Sequence, residues 1–316
     1  MKTVSLARNA MATRFEMVLH GEDELGLRAA GEEALDEITA LAAQLNFYGA
    51  DSEVCRINAR AALGPVPVEP GLFRLLQEAK YVHELSGGAF DITVAPLMRC
   101  WGFADGVHRV PSPGELAKAR ECVGMDLVHL DAKNITVQFE RPGVRVDLGA
   151  IGKGFALDIV GQIVREAGIT SALIHGGTST VCAIGSPPEK DFWKVAIEHP
   201  GYEQSAADIP EHKRLVAVAE LNDESFSVSA SWGKAFEENG VSYGHVLDPR
   251  CGQPTQNTLL AAVALPSGTA ADAWSTALLV SGVAGPVALG QVGESARSLL
   301  LLPDGDSGFR TLNNGF

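Results

Sequence analysis

The sequence lacks paired cysteines and long apolar segments. Its five cysteines, Cys55, Cys100, Cys122, Cys182 and Cys251, are widely spaced, and no CxxC pair occurs. This spacing favours reduced thiols in the cytoplasm over a disulfide framework or a zinc site. The first residues contain neither the apolar stretch of a signal peptide nor a lipobox-like cysteine. Because no segment approaches membrane-spanning length, we expect a cytoplasmic chain without membrane insertion.

Positive charge is also scarce. The chain has 25 Lys and Arg against 39 Asp and Glu, which gives a formal net charge of −14. Nucleic acids and anionic membranes are bound through clustered Lys and Arg, so both are disfavoured as main partners. A phosphate-bearing ligand would therefore have to be bound by local groups that offset its negative charge, such as backbone amides, a cation or single basic residues. The 34 glycines provide many sites for tight turns or close approach of the backbone to a ligand.

No internal repeat, linker or low-complexity segment marks a domain boundary, so we expect a single domain over residues 1–316. Strand patterns follow one another and helices are grouped, which indicates an α+β fold with mixed or antiparallel sheets, and not a doubly wound sheet. Residues 47–70 are interpreted as a polar surface loop, and residues 90–103 as extended or irregular. Helical periodicity predicts helices at 23–46, 71–88, 112–124, 153–168, 268–282 and 284–293. Alternating patterns predict strands at 12–21, three within 127–149, and others at 171–177, 191–200, 214–221, 224–231, 243–249, 259–266 and 296–303.

The predicted helix at residues 268–282 is apolar on most sides, but Asp272 and Thr276 interrupt it. Residues four apart face the same side of a helix. A carboxylate in an apolar helix is costly unless a partner offsets its lost hydration. Mg²⁺ is one candidate partner, because it binds carboxylate and hydroxyl oxygens. The alternative is a carboxylate facing its own helix dipole and a threonine bonded to its own backbone.

A glycine-rich turn precedes the predicted helix at 153–168. Gly149, Gly152 and Gly154 have the spacing GxxGxG, and Lys153 is followed by Gly, so neither the dinucleotide-binding nor the Walker pattern is met. The turn still combines free amides at a helix N-terminus with one lysine, which suits an anionic ligand. A tight strand-to-helix turn without a ligand explains the same residues.

Two further segments have both a chemical and a structural interpretation. His245 precedes the turn-forming Asp248-Pro249-Arg250 on a predicted strand, where it can serve as a general base or simply pack beside the turn. Gly176 and Gly177 end a predicted strand, which indicates a bulge or a place where a flat ligand approaches the backbone.

Four segments, in this order along the chain, resemble those of the ApbE family, the FAD:protein FMN transferases. They are SGGAFDITVAPLMRCWGF, VDLGAIGKGFALD, SYGHVLDPRCGQP and GTAADAWSTALLVSG. ATRFEM and DSEVCRIN resemble that family's first two segments, so the resemblance extends from Met11 to Gly282. It implies an enzyme that binds FAD and Mg²⁺ and moves FMN onto a Thr or Ser hydroxyl of a target flavoprotein, with release of AMP. Some members instead hydrolyse FAD to FMN and AMP.

The resemblance also implies roles for particular residues. Asp272 and Thr276 would ligate Mg²⁺ with a backbone carbonyl of Ala150 or Gly152, and Asp272 counts with His245 as catalytic. His245 would help to deprotonate the accepting hydroxyl, which is a weak nucleophile at neutral pH. Trp101 is as readily explained as a core residue. The residues expected to contact FAD are Asp51, Ser52, Asn58, Gly88, Phe90, Asp91, Lys153, Gly176, Gly177, Thr178 and His245.

Four positions depart from the family pattern. Thr178 stands where Asn is usual, Ala230 where Gly is usual, Cys251 where Thr is common and Gly152 where Ala is frequent. Thr178 lacks an amide that both donates and accepts, and Ala230 adds a methyl where backbone approaches a ligand. These departures keep a third hypothesis open, a flavin-binding protein without catalytic activity.

Overall fold

The computed structural model describes residues 1–104, 106–198, 215–293, 295–305 and 308–316. The helices in these ranges are α1 Glu24–Gln44, α2 Glu53–Arg60, α3 Pro70–Leu85, α4 Ala95–Cys100, α5 Pro113–Arg120, α6 Gly152–Glu166, α7 Gly268–Ser281 and α8 Gly285–Leu289. The first strands are β1 Lys2–Ala10, β2 Thr13–Gly21, β3 Val66–Pro67, β4 Val128–Asp131, β5 Thr136–Phe139, β6 Ser171–Gly176, β7 Thr180–Ile184, β8 Trp193–Glu198 and β9 Leu215–Leu221. The remaining strands are β10 Ser225–Ala230, β11 Ala235–Glu238, β12 Val241–Gly244, β13 Leu247–Asp248, β14 Gln253–Pro254, β15 Leu260–Leu265, β16 Arg297–Asp304 and β17 Gly308–Asn314.

The central element is an eight-stranded sheet of order β1-β2-β6-β7-β10-β15-β16-β17 in which every neighbouring pair is antiparallel. Its middle strands are covered on both faces. In β16, Leu300 and Leu302 belong to the main core, whereas Leu299 and Leu301 belong to a second core, as the two-residue period of a strand requires. The α+β class expected from the sequence is confirmed.

One face of the sheet packs against α1, α6 and α7, and these helices supply the main hydrophobic core. The β8–β9 hairpin covers the other face through Trp193, Ile197, Ala219 and Leu221. This layering places α6 and α7 side by side against β7, β10 and β15. The glycine-rich turn and the Asp272 helix are therefore neighbours in the fold.

Two helices lie where none is predicted. Helix α2 occupies the middle of the expected surface loop 47–70; Ser52 is its N-cap, and Val54 and Ile57 are fully buried. Helix α2 has only a short apolar face among charged residues, so its helical periodicity is hard to detect in the sequence. Helix α4 lies in the segment expected to be extended, with Pro96 in its first turn, where proline is compatible with a helix. Both predictions of irregular structure were wrong.

Other boundaries differ more modestly. Of the three strands expected within 127–149, only β4 and β5 form. Residues 144–148 bury Val144, Val146 and Leu148 in alternation, but Val146 bonds to the Asn58 side chain and not to a strand. The predicted helix at 112–124 has the expected capping box of Ser112 and Glu115 but ends at Arg120. Strands β1, β3, β11, β14 and β17 were missed.

Helix α7 is deeply buried in the core. All its residues except Thr276 and Ser281 are buried. With the turns that follow, Gly268–Leu289 is long and apolar enough, at a mean hydropathy of 1.2, to cross a membrane by length and composition. The expectation that no segment reaches that threshold was wrong. Its apolar character is accounted for by packing in the core, since α3, α6, β10 and β15 surround α7.

Candidate functional site

Helices α6 and α7 cap each other. The N-cap residue of α6, Ile151, provides no side-chain hydrogen bond. Instead the Gly154 amide donates to Asp272 Oδ2 at 3.0 Å, so a carboxylate from α7 satisfies the first turn of α6. In return, Asp158 of α6 accepts from the Gly268 amide at 2.6 Å and the Thr269 amide at 2.9 Å. The Asp272 carboxylate therefore faces the positive end of a neighbouring helix dipole.

The two helices meet at their glycines. A Cβ atom on Gly154 would lie 2.0 Å from the Gly268 carbonyl oxygen, and one on Gly268 would lie 2.9 Å from the Gly154 carbonyl oxygen. No side chain fits between these backbones. The third glycine of the GxxGxG turn is thus explained by helix packing, which brings Asp272 within reach of the turn.

The Asp272 carboxylate is buried, with the residue 3% exposed, and is surrounded by donors. Oδ1 accepts from Ser227 Oγ at 3.1 Å and from Thr180 Oγ1 at 3.4 Å. Lys153 Nζ lies 3.5 Å from the same oxygen. Asp272 is in the second turn of α7 and contacts α6, so the alternative in which it faces its own helix dipole was wrong.

The hydroxyl groups continue along α7. Thr276 Oγ1 lies 3.1 Å from Ser229 Oγ, and Ser229 Oγ lies 2.7 Å from Ser275 Oγ. The Thr276 hydroxyl is therefore bonded to a side chain of the neighbouring strand β10, and not to the backbone of α7. We call Thr180, Ser227, Ser229, Ser275 and Thr276 the hydroxyl cluster. Thr276 is its half-exposed member on α7, so an approaching ligand meets this helix there.

The oxygen atoms at this place fit a hard divalent cation. Asp272 offers a carboxylate, Thr276 a hydroxyl, and the turn before α6 a carbonyl, which are all ligand types suited to Mg²⁺. The two candidate carbonyls differ. Gly152 is the first residue of α6, so its carbonyl belongs to the helical hydrogen-bond ladder. The Ala150 carbonyl accepts no backbone hydrogen bond within the described ranges, which favours it as a ligand.

His245 lies between β12 and β13, not within a strand as predicted. Its amide donates to the Lys234 carbonyl at 3.0 Å, and its Nδ1 lies 3.1 Å from the same oxygen. Burial lowers the pKa of its imidazole, although the Lys234 carbonyl opposes this shift. The ring is therefore biased towards the neutral form, which is the form that accepts a proton. Across the described residues, no hydrogen bond or ion pair joins His245 to Asp272.

The hairpin that carries His245 is anchored by aromatic rings. Phe236 and Tyr243 pair across β11 and β12 with ring centroids 5.3 Å apart. Trp101 lies 5.3 Å from Tyr243, is 1% exposed, and donates its Nε1–H to the Gly252 carbonyl. Trp101 is thus a core residue that supports both ends of the segment containing His245.

Gly176 ends β6 and Gly177 follows directly after it, close to the predicted strand end. A Cβ on Gly176 would lie 2.9 Å from the Phe15 ring, and Gly177 has a φ of +66°. Packing against β2 and a left-handed backbone account for both glycines. Thr178 follows in the exposed turn before β7 and remains a predicted ligand contact.

Three predicted FAD contacts lie around α2. Asp51 is exposed, Ser52 caps the helix by accepting from the Cys55 amide at 3.0 Å, and Asn58 is half-buried. The Asn58 amide pairs with both backbone groups of Val146, at 2.9 Å and 2.8 Å. Ser52 and Asn58 therefore have structural roles, and their contacts with FAD stay predictions.

The SGGAFD segment forms a turn after α3. Gly88 has a φ of +79°, and Phe90 is 1% exposed in the main core. Asp91 is buried; it accepts from the Thr93 amide at 2.7 Å and lies 3.2 Å from His83 Nδ1. Burial lowers the pKa of His83, but Asp91 and the Phe90 carbonyl outweigh it and raise the pKa overall. His83 was not singled out in the sequence.

A cavity of about 700 Å³ opens beside α4 and α5. It is lined by rings of Phe47, Tyr48 and Phe103, and it reaches Asp147, two residues before Gly149 of the glycine-rich turn. The Asp147 carboxyl is partly buried, and this desolvation raises its pKa although it accepts from the Gly149 amide at 2.9 Å. The volume is in the range typical of small-molecule sites.

Several residues that shape the site were missed in the sequence. Alternating Ser225, Ser227 and Ser229 on β10 were a detectable signal, since a period of two places all three on one face. Thr180 and Asp158 gave no such signal, because their partners are distant in sequence.

Comparison with known proteins gives consistent results. The ApbE family model matches residues 11–294. A FAD:protein FMN transferase of Haemophilus influenzae is 30% identical over 291 residues, covering 89% of this chain and 81% of that protein. Another from Treponema pallidum is 31% identical over 290 residues, covering 86% and 77%.

Solved structures are similar over nearly the whole chain. The ApbE protein of Thermotoga maritima superposes with a TM-score of 0.85 at 26% identity, covering 99% of this chain and 97% of that one. The flavin transferase ApbE of Vibrio cholerae superposes with a TM-score of 0.84 at 25% identity, also covering 99% and 97%.

Proposed function

Because this chain belongs to the ApbE family, we propose that it is a FAD:protein FMN transferase. It transfers FMN from FAD to a Thr or Ser hydroxyl of an acceptor flavoprotein and releases AMP. The observation that carries this proposal is the convergence of Asp272, Lys153 and the N-terminal amides of α6 at one place. A lysine and a helix N-terminus bind anions, and this chain of charge −14 has few other devices for binding a pyrophosphate.

Mg²⁺ fits the oxygen atoms beside the turn. Asp272, Thr276 and the Ala150 carbonyl would hold it, in the usual manner of one or two protein side chains together with substrate phosphates. When bound, Mg²⁺ neutralises charge that develops on the pyrophosphate oxygens. The buried hydroxyls of Ser227 and Thr180 orient the Asp272 carboxylate through hydrogen bonds.

The residues of the protein position FAD and provide a general base for the accepting hydroxyl. Lys153 binds the pyrophosphate of FAD with its ammonium group and its backbone amide, since the Gly152 and Gly154 amides already donate to the Leu148 carbonyl and to Asp272. The acceptor oxygen attacks the phosphorus of the FMN half, the phosphorus–oxygen bond to AMP breaks, and AMP leaves with the bridging oxygen. His245 takes the proton of the accepting hydroxyl, because a neutral imidazole is a suitable base near neutral pH. The flavin ring packs in the cavity against Phe47 and Tyr48, since flat aromatic ligands favour such surfaces.

The whole chain acts as one catalytic domain in this proposal, and its acceptor is cytoplasmic. The five cysteines are all free thiols, as is usual in a reducing compartment, which supports that location.

The test is incubation of the protein with FAD, Mg²⁺ and an extract of its own cells. In-gel flavin fluorescence and mass spectrometry should detect FMN on an acceptor Thr or Ser, with AMP released in equal amount. The Asp272→Ala variant should give neither product while retaining its circular dichroism spectrum. AMP without a labelled protein would instead identify an FAD pyrophosphatase, and intact FAD after incubation would identify a flavin-binding protein.

A further inference from the structure

The cavity has a basic rim in a protein that is otherwise acidic. The rim consists of Arg99, Lys118, Arg141 and Arg145. Arg99 lies on α4, Lys118 on α5, and the two other arginines follow β5. Three distant segments thus bring positive charge to one opening, although acidic residues outnumber basic ones by 39 to 25.

These four side chains have no hydrogen-bond or ion-pair partner among the described residues. Many other cations are neutralised: Arg8, Arg14, Arg56, Arg109, Arg165, Lys194, Arg250 and Arg297 each lie within ion-pair distance of a carboxylate. An unpaired cluster at a cavity mouth produces a local positive potential that attracts anionic groups.

The carboxylates that line the same cavity are mostly engaged elsewhere. Glu115 bonds to Ser112 and Arg109, and these hydrogen bonds lower its pKa to about 2. Asp147 is bonded to the Gly149 amide, and burial raises its pKa. Glu121 is the remaining lining carboxylate, so the rim keeps an excess of positive charge.

We propose that the basic rim binds an acidic segment of the acceptor protein. This inference rests on the proposed function, in which the acceptor hydroxyl reaches FMN whose flavin ring lies in the cavity. An acceptor on that path must cover the cavity mouth, where Arg99, Lys118 and Arg141 are exposed. FAD carries its negative charge on the pyrophosphate, which Lys153 accommodates in this proposal, so the rim charges need another anionic partner. Complementary charge of this kind gives specificity and faster association.

The experiment measures binding of two labelled peptides to the FAD-loaded protein by fluorescence anisotropy. One short peptide has a central Thr flanked by Asp and Glu, and the other has Asn and Gln in their places. The acidic peptide should bind at least about tenfold more tightly, as expected for three exposed ion pairs. Its affinity should fall as salt is raised, because exposed charges are screened.

A charge-reversed variant identifies the surface. R99E/K118E/R141E should lose the preference for the acidic peptide and keep the wild-type affinity for FAD. The matched control R28E/K133E/R310E changes the net charge equally at exposed residues away from the cavity, and it should bind like wild type.

Other outcomes overturn the proposal. Equal binding of both peptides by wild type, or equal losses in the two triple variants, would exclude a specific acidic-segment site. A rim variant with weakened FAD affinity would assign these cations to the nucleotide. Because peptide binding is measured without FMN transfer, failure of the transferase function would be seen separately, in the acceptor-labelling assay.

Discussion

Ser227 and Asp272 are joined by a hydrogen bond in which the buried Ser227 hydroxyl donates to Oδ1 of the carboxylate at 3.1 Å. The other carboxylate oxygen accepts from the Gly154 amide at 3.0 Å. The sheet therefore donates to Oδ1 and α6 donates to Oδ2, while Lys153 Nζ of α6 also lies 3.5 Å from Oδ1. A carboxylate fixed in this way presents its remaining lone pairs in one direction, as partners of a metal ligand commonly require.

Replacing Ser227 by Ala should weaken Mg²⁺ binding by about tenfold to 100-fold, the usual effect of removing a residue that orients a metal ligand. The free energy of unfolding should fall by only about 1 kcal/mol, because Gly154 and Thr180 still donate to Asp272. The Mg²⁺-induced rise in Tm measures the affinity, and FMN transfer measures the activity.

Ser225→Ala is the matched control for that variant. Ser225 lies on the same face of β10 and is equally buried, but its hydroxyl bonds with Cys182 and does not contact Asp272. It should leave the Mg²⁺-induced shift unchanged. Equal losses in the two variants would mean that Ser227 acts only through packing.

Gly154→Ala should separate α6 from α7. Its Cβ would lie 2.0 Å from the Gly268 carbonyl oxygen. This oxygen belongs to the backbone of α7, so the clash cannot be relieved by moving a flexible side chain. Overpacking of this kind lowers the free energy of unfolding by about 1–3 kcal/mol. It should also abolish FMN transfer, because Asp272 loses its place at the turn. Urea unfolding gives the first quantity.

Gly114→Ala is the control for the helix packing. Gly114 is in α5, and a Cβ there would contact nothing within 4 Å. This variant should be neutral or more stable by up to about 1 kcal/mol, since alanine favours the helix. If Gly154→Ala behaved in the same way, the close contact between α6 and α7 would be refuted.

The sequence predicted the elements of this fold better than their contacts. Periodicity identified α1, α3, α6 and α7 because each has a continuous apolar face. Helix α2 was missed because it buries only Val54 and Ile57 among charged neighbours. Short elements carry too few apolar residues for a periodic signal, so their conformation is decided by the surfaces on which they pack.

In the candidate site, too, local spacing was predicted from the sequence, whereas contacts between distant segments were not. The spacing of Asp272 and Thr276 predicted two oxygens on one helix face, and the structure places Asp272 beside the hydroxyl cluster to which Thr276 belongs. The donors to Asp272 come from α6, β7 and β10, which are up to 118 residues apart from it in sequence. No local pattern encodes such distances. The capping of α6 by a carboxylate of another helix could therefore not be predicted from the sequence.

His83 should make stability depend on pH. Burial lowers its pKa, but the hydrogen bond and charge of Asp91, the Phe90 carbonyl and the charge of Asp126 raise it overall. The protonated ring therefore stabilises the fold, fully below the ordinary histidine pKa of about 6.5, and this contribution is lost as pH rises through the higher folded-state value.

His83→Asn retains a donor near Phe90 and Asp91 but cannot carry the charge. The difference in free energy of unfolding between wild type and this variant should be largest below pH about 6.5 and should shrink as pH rises. Urea unfolding across this pH range measures it. A difference that is independent of pH would show that the charge of His83 contributes nothing to stability.

His245 should set the acid limb of FMN transfer. Burial lowers its pKa, so the ring stays neutral and able to accept a proton at pH values where an exposed histidine is already half charged. The plot of kcat/KM against pH should therefore fall on the acid side with a midpoint below about 6.5. His245→Gln should lower kcat/KM by about 100-fold or more at neutral pH and remove that limb. An acid limb that persists unchanged in the variant would assign the base to another group, and the Asp147 carboxyl, whose pKa is raised by burial beside the cavity, would be the next residue to replace.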